Sequence, residues 1–408
     1  MVLFSSTAGL AALVTASLAV PVAPAPGSVG AEPGTRAGAV IRAAVPCPKT
    51  PAPKWSMPER PSPPTDDPVH RAVGGEELAT TGLAVPPGAS RPPAVSATSW
   101  IVADLDTGAV LGACGPHEYG APASVQKLLL AATMLPKLDP HEVITVTPED
   151  MDFEPGSSAV GLVEGGKYSV EMLWLGLLLV SGNDAANVLA RLGGGSGGAA
   201  AGVREMNAEA QRLGAYQTHA VTPSGLDGPG QYTSAYDLAL IARACFADPA
   251  FQRYTITRQA KVPAQRRHVK GFEIGNQNRL LDEYPGALGG KTGYTDLARH
   301  TYVGAAARNG RRLVVTLLGA EYLPLSGWQQ GAALLDWGFS QPADAAVGHL
   351  VDPAGAASPA PVVAAAQQAS TAGSGGGTGT PRILALGAVV AAAGLAISAT
   401  ARRRRRRT

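Results

Sequence analysis

Cysteine is scarce in this chain, and no pattern puts it to chemical use. Cys47, Cys114 and Cys245 are the only three in 408 residues, with neither a C-x-x-C pair nor a Cys/His spacing suited to a metal. No metal or cofactor is implied. For an exported chain, a Cys114–Cys245 bridge and two buried free thiols are both compatible with the sequence. Basic residues are also scarcer than the net charge of +2 suggests. Six of the 33 lie at 402–407, which leaves 27 against 31 acidic residues in the rest of the chain. A mildly acidic body carries no nucleic-acid footprint. Gly-x-Ser-x-Gly in a strand-turn-helix setting is missing from the body, which removes the usual frame for a Ser-His-Asp hydrolase. Of the seven histidines, His70, His117, His141, His219, His268 and His349 read as surface or loop positions, and His300 as a structural residue on a strand.

What is present is unevenly spread. An apolar run at 8–23 resembles the core of a signal peptide, with Ala23-Pro24-Ala25 as a cleavage site and segment 1–25 removed, although no Lys or Arg precedes the run. Residues 26–94 are rich in Pro, Ala and Gly and read as a spacer. The patterned body runs over 95–345, enough for one sizeable core. A flexible linker follows at 346–381. An uncharged apolar stretch at 383–399 then predicts a membrane span over 382–401, with a basic cytoplasmic tail at 402–408. The arginines beside the span place the body outside the cell.

Within the body, residues 99–104 and 109–112 read as a hairpin around Asp106-Thr107-Gly108. Helical patterns cover the stretch after Ser124, 170–192 with a break at 181–183, 202–213, 234–246 and 326–338, while 143–146, 286–291, 301–307 and 311–318 read as strands. Strands at both ends and helices between them predict an α+β fold, one antiparallel sheet of N- and C-terminal strands with a helical lobe inserted.

Three short segments carry chemistry. In Ser124-Val125-Gln126-Lys127 a serine and a lysine lie one helical turn apart. A hydroxyl is a poor nucleophile until a base takes its proton, and a desolvated lysine beside other cations can be that base. Taken alone, the pair reads more readily as an N-cap serine with a solvated lysine. Ser181-Gly182-Asn183 ends a strongly apolar run, so its polar groups need partners and should face a cleft, or else cap a helix. Gly290-Lys291-Thr292-Gly293-Tyr294 offers a cation, a hydroxyl and small residues along a strand.

In this order the triplets resemble those of the penicillin-recognising serine enzymes, Ser-x-x-Lys, Ser-x-Asn and Lys-Thr-Gly. With the flanks Gly156-Ser157-Ser158, Ser181-Gly182-Asn183-Asp184, Ser224-Gly225-Leu226-Asp227 and Thr233-Ser234-Ala235-Tyr236-Asp237, residues 97–340 are similar to the low-molecular-mass D-alanyl-D-alanine carboxypeptidases. The resemblance implies a β-lactamase/transpeptidase-like fold. It implies Ser124 as nucleophile, Lys127 as base and Ser181 as a bridge between Lys127 and Lys291. Asn183 would bind the substrate amide and help orient Lys127, Lys291 and Thr292 would bind a terminal carboxylate, and Gly293 would belong to the substrate-binding strand. The N–H groups of Ser124 and Tyr294 would form an oxyanion hole. The implied partners are a peptidoglycan stem peptide ending in D-Ala-D-Ala and β-lactams as covalent inhibitors. Arg299 departs from the family pattern, and either a carboxylate pocket or an acidic partner would explain it. A class A β-lactamase is the alternative, weighed against by the lack of a Glu-x-x-Leu-Asn segment after the middle triplet, and a silent wall-binding module is a third.

Overall fold

Alternation along the strands decides the architecture. The computed structural model of the chain describes residues 44–51, 68–265 and 269–355. Its strands are β1 (Leu83–Ala84), β2 (Ser99–Asp104), β3 (Ala109–Cys114), β4 (Val143–Thr145), β5 (Lys167–Ser169), β6 (Gln259–Val262), β7 (Phe272–Gly275), β8 (Ala287–Thr295), β9 (Arg299–Arg308), β10 (Arg311–Ala320) and β11 (Gly348–His349). The helices are α1 (Pro68–Arg71), α2 (Lys127–Met134), α3 (Val170–Leu179), α4 (Asn183–Gly193), α5 (Gly198–Arg212), α6 (Ala235–Ala247), α7 (Pro249–Thr255), α8 (Leu280–Glu283) and α9 (Gly327–Ser340).

The main sheet has the order β1-β3-β2-β10-β9-β8, with β11 also pairing β3. β10 joins the two halves of the sequence, antiparallel to β2 with Val315 opposite Val102, and to β9 with Val315 opposite Gly304. Successive side chains point to opposite faces. Trp100, Val102, Leu313, Val315 and Leu317 therefore meet Leu334, Leu335 and Trp337 of α9 on one face. Ile101, Ala103, Val314 and Leu318 meet the helical lobe on the other. Both faces are covered, so the central strands are apolar throughout. Burying each large side chain stabilises the fold by about 1.5–3 kcal/mol.

The helical lobe is arranged to present its chain breaks to the sheet edge. Ser169 caps α3 by accepting from the N–H of Met172 at 3.2 Å. α3 is buried almost all round, which explains its unbroken apolar sequence. It stops before Ser181, whose φ of 62° cannot continue a helix, and α4 restarts at Asn183. The expected hairpin, helices and C-terminal strands are all found. The expected Lys291 strand extends further, to Thr295, because the register with β9 continues to Arg299.

The stretch read as a spacer is different from expectation. Residues 44–51 and 68–94 are partly integral to the fold: Leu78 is fully buried, β1 pairs β3, and the N–H of Leu83 donates to the carbonyl of Val45 at 2.7 Å. Proline-rich backbone lacks donors but still has carbonyls, and here they accept from neighbouring N–H groups. The cysteine expectation is also corrected. Cys114 is bonded to Cys47, and Cys245 is a free, buried thiol on the carbonyl of Leu128 at 3.2 Å. Cys114 faces the α9 side of the sheet and Cys245 the helical-lobe side, so the sheet itself separates them. The expected linker at 346–381 begins later than that, since the N–H of Val347 donates to the carbonyl of Val110 at 2.8 Å, β11 pairs β3 and Leu350 is buried; its part from 356 on and the expected segments 1–25, 382–401 and 402–408 lie outside the described residues. Among the described residues, no helix is long and apolar enough to cross a membrane.

Candidate active site

Ser124 lies on a 3₁₀ turn, Ala123–Gln126, that runs directly into α2, so it sits one turn before the α-helix proper. The preceding Ala123 has φ 49°, an uncommon conformation for a residue with a side chain. Its neighbours explain how it is held. A Cβ on Gly225 would lie 1.9 Å from the carbonyl oxygen of Ala123, and one on Gly293 would lie 2.9 Å from the nitrogen of Ser124. Only glycine permits both approaches. Thr301 of β9 adds a hydrogen bond to the carbonyl of Pro122 at 2.8 Å.

Lys127 is completely buried, and its Nζ has three partners: Ser124 Oγ at 2.9 Å, Asn183 Oδ1 at 2.7 Å and the Ser224 carbonyl at 2.7 Å. Burial lowers its pKa well below the usual lysine value, the Lys291 charge lowers it further, and Asp184 opposes the shift. The neutral amine has two protons and one lone pair. The amide oxygen and the carbonyl can only accept, so they take the two protons, and the lone pair is left to receive the Ser124 hydroxyl proton. This geometry makes an amine a base toward a hydroxyl.

Asn183 opens α4. Its Oδ1 accepts from Lys127, and its Nδ2 donates to Ser157 Oγ at 2.9 Å. The amide thus orients Lys127, as expected, and pins the Gly156-Ser157-Ser158 turn, while still lining the cleft. Asp184 follows it, wholly buried. Its carboxylate accepts from the N–H groups of Val160, Gly161 and Leu162 at 2.9, 2.9 and 3.0 Å. Such a charge is tolerable only because backbone dipoles surround it.

Ser181 is buried beside the cleft, and its Oγ makes no hydrogen bond. The expected bridge between Lys127 and Lys291 is thus not formed. Lys127 donates to the partners given above, and Lys291 Nζ donates to the carbonyl of Thr292 at 2.7 Å. Desolvation lowers Lys291 to about 7. Lys291 is buried beneath the cleft, which Ser124, Ser157, Ser181, Asn183, Thr292, Gly293 and Tyr294 line around a volume of about 480 Å³. No carboxylate is among the lining residues.

Arg299, left open by its sequence, pairs through two hydrogen bonds with Glu321 at 3.0 and 3.1 Å and lies over the Tyr294 ring. It is a brace, directed at an acid. His300 is half-buried at the cleft wall, and desolvation followed by the Arg299 charge lowers its pKa. The Ser224 carbonyl, Asp184 and Ser157 were given no role by sequence reasoning. Their only sequence signal was position inside the flanking segments, and a backbone carbonyl leaves no residue-type signature. Among the described residues, no group of His, Cys, Asp and Glu is placed to hold a metal.

The family model described as D-alanyl-D-alanine carboxypeptidase, peptidase S11, matches residues 87–322. The chain is 46% identical over 263 residues to D-alanyl-D-alanine carboxypeptidase DacB2 of Mycobacterium tuberculosis, covering 62% of this chain and 86% of that protein. It is 34% identical to D-alanyl-D-alanine carboxypeptidase DacD of Salmonella typhimurium, covering 61% of this chain and 64%, just under two thirds, of that relative. Among solved structures, a D-alanyl-D-alanine carboxypeptidase from M. tuberculosis superposes with a TM-score of 0.61 at 45% identity, covering 65% of this chain and 99% of that one. A Streptomyces DD-transpeptidase gives 0.59 at 25% identity, covering 62% and 100%. The α+β arrangement of an antiparallel sheet with a helical lobe is the fold of these penicillin-recognising enzymes. With the match spanning more than half its length, the chain belongs to the peptidase S11 family of D-alanyl-D-alanine carboxypeptidases.

Proposed function

We propose that this chain is a serine D-Ala-D-Ala carboxypeptidase that removes the terminal D-Ala of peptidoglycan stem peptides. One observation carries the reading: a buried amine whose two other partners only accept hydrogen bonds sits 2.9 Å from the Ser124 hydroxyl. Lys127 takes the Ser124 proton as Oγ bonds to the penultimate D-Ala carbonyl carbon. The oxygen, now negative, is held by the N–H groups of Ser124 and Tyr294. Collapse breaks the C–N bond, and the leaving amine receives a proton from Lys127 by way of Ser181, whose hydroxyl is unengaged. Water then attacks the ester, gives its proton to Lys127, and Ser124 recovers its own. Thr292, with the Lys291 charge beneath it, receives the terminal carboxylate, and the edge of β8 with Gly293 pairs with the substrate backbone.

A β-lactam presents a similar amide and carboxylate and acylates the same oxygen. The absence of a carboxylate among the lining residues weighs against fast β-lactam hydrolysis of the class A kind. The reading extends to location: residues 382–401 as a single C-terminal span, with the catalytic body outside the cell membrane. A reporter fused at residue 408 that is active only outside the cytoplasm would reject that topology. The chemistry is tested by intact mass spectrometry with penicillin alongside a D-Ala release assay. A stable adduct and D-Ala release, both lost in Ser124→Ala, are expected. Release that persists in Ser124→Ala refutes the mechanism.

A further inference from the structure

Past the mouth of the cleft, the end of the sheet carries rings that the acylation chemistry leaves unused. Tyr294 near the end of β8 is paired in register with His300 on β9, and Tyr322 follows just after β10. The Tyr294 and His300 ring centroids are 4.7 Å apart, and those of His300 and Tyr322 5.8 Å. Tyr294 is 48% exposed, Tyr322 62% and the adjoining Leu323 66%. Exposed rings clustered at a surface point to a ligand, and this row begins at the cleft, since Tyr294 and the half-buried His300 both line it.

The strip is built rigidly. Arg299 lies over the Tyr294 ring and donates to its hydroxyl at 3.2 Å, while Glu321, 4% exposed at its side chain, holds the guanidinium through two hydrogen bonds. The backbone of Glu321 is held in turn, its N–H by Ser96 Oγ and its carbonyl by Gln330 Nε2. The charge of Arg299 is therefore spent inside the wall. Beside it stands a row of rings tilted at 44° and 41° to one another, with the Tyr294 hydroxyl donating to the exposed Asp296 carboxylate at 3.0 Å. A pyranose has the matching chemistry, C–H groups on one face for an electron-rich ring and hydroxyls at its rim that a carboxylate can accept from.

Reach agrees. From the scissile carbonyl beside Tyr294, the four stem residues leading back to the glycan span at most about 14 Å when extended. The strip crosses roughly 10 Å on the strand spacing of a sheet, so the sugar end arrives with slack.

We propose that Tyr294, His300 and Tyr322 form a stacking subsite for a pyranose ring of the glycan that carries the stem peptide. The proposal rests on the carboxypeptidase reading above and adds a substrate preference to it, for glycan-attached over free stems. The test compares a disaccharide-pentapeptide, the same pentapeptide without sugar, and a short acylated tripeptide ending in D-Ala-D-Ala, using full-length protein. Tyr322→Ala is expected to raise KM for the disaccharide substrate by about five-fold with kcat nearly unchanged, and Tyr322→Phe to keep the wild-type value. Both variants should leave the tripeptide constants unaltered, which also reports intact folding. An unchanged KM for the disaccharide substrate would overturn the proposal. So would an equal rise for the sugar-free pentapeptide, which would put peptide on the strip instead. Failure of the wild type to release D-Ala from the tripeptide would remove the carboxypeptidase reading, and the subsite with it.

Discussion

The two edges of the main sheet are treated in opposite ways. At one, β1 and β11 both pair with β3, the Cys47–Cys114 bond ties residues 44–51 alongside, and Lys49 donates to the carbonyls of Ala97 and Thr98. At the other, β8 pairs only with β9 and turns its second side to the cleft. An unpaired edge is a template for any extended chain. Closing one and furnishing the other with a nucleophile turns a general hazard into a selective peptide site. Stability is concentrated at the closed edge and chemistry at the open one.

The sharpest way to break that contrast is at the amine. Lys127→Ala should lower acylation by penicillin roughly 10³-fold or more while the thermal transition persists, since it removes the base and a buried polar group. Stopped-flow acylation rates beside a melting curve decide it; a loss below ten-fold would mean another base. Next comes the strand itself. Gly293→Val places a Cβ 2.3 Å from Thr301 Oγ1 and 2.9 Å from the Ser124 nitrogen, and a shift of about 1 Å at the nucleophile lowers kcat/KM on the order of 100-fold. Steady-state D-Ala release reads this.

At the closed edge, Cys47→Ser should cost about 2–4 kcal/mol of stability and leave kcat within roughly two-fold, because the bond spans residues away from the cleft. Equilibrium denaturation with parallel activity measurements separates the two. A kcat that collapsed with stability intact would show the edges to be coupled. The smallest effect is a pH dependence. Lys291 is charged below about 7 and loses its charge above it. KM for a substrate with a free carboxylate should therefore rise a few-fold as pH passes upward through that value, the order expected of one partly screened charge. The acid limb of kcat belongs to Lys127, which must be neutral to accept a proton. A KM flat across neutral pH would take Lys291 out of substrate binding.

Much of this was legible from residue order. Helices and strands of the body followed from periodicity, and the three triplets identified Ser124, Lys127 and Asn183 as neighbours, which Lys127 confirms with contacts of 2.9 and 2.7 Å. Residues 44–51 and 68–94 differ from the spacer reading because proline-rich composition reports a lack of N–H donors, not a lack of acceptors, and carbonyls such as those of Val45 and Pro48 are used by the fold. Cysteine pairing depends on which face of the sheet each thiol occupies, and Cys114 and Cys245 differ there by the parity of a strand and the rotation of a helix. The bridge through Ser181 is not formed here, with Lys127 turned to the Asn183 amide and the Ser224 carbonyl and Lys291 to the Thr292 carbonyl, and no motif describes a backbone carbonyl.

Asp184 gives the site a mechanical consequence. Its carboxylate grips the loop at 160–162, while the adjacent Asn183 grips both Ser157 and the base. Ser157 lines the cleft, so a displacement of its turn is felt at the asparagine and through it at the amine that must take the Ser124 proton.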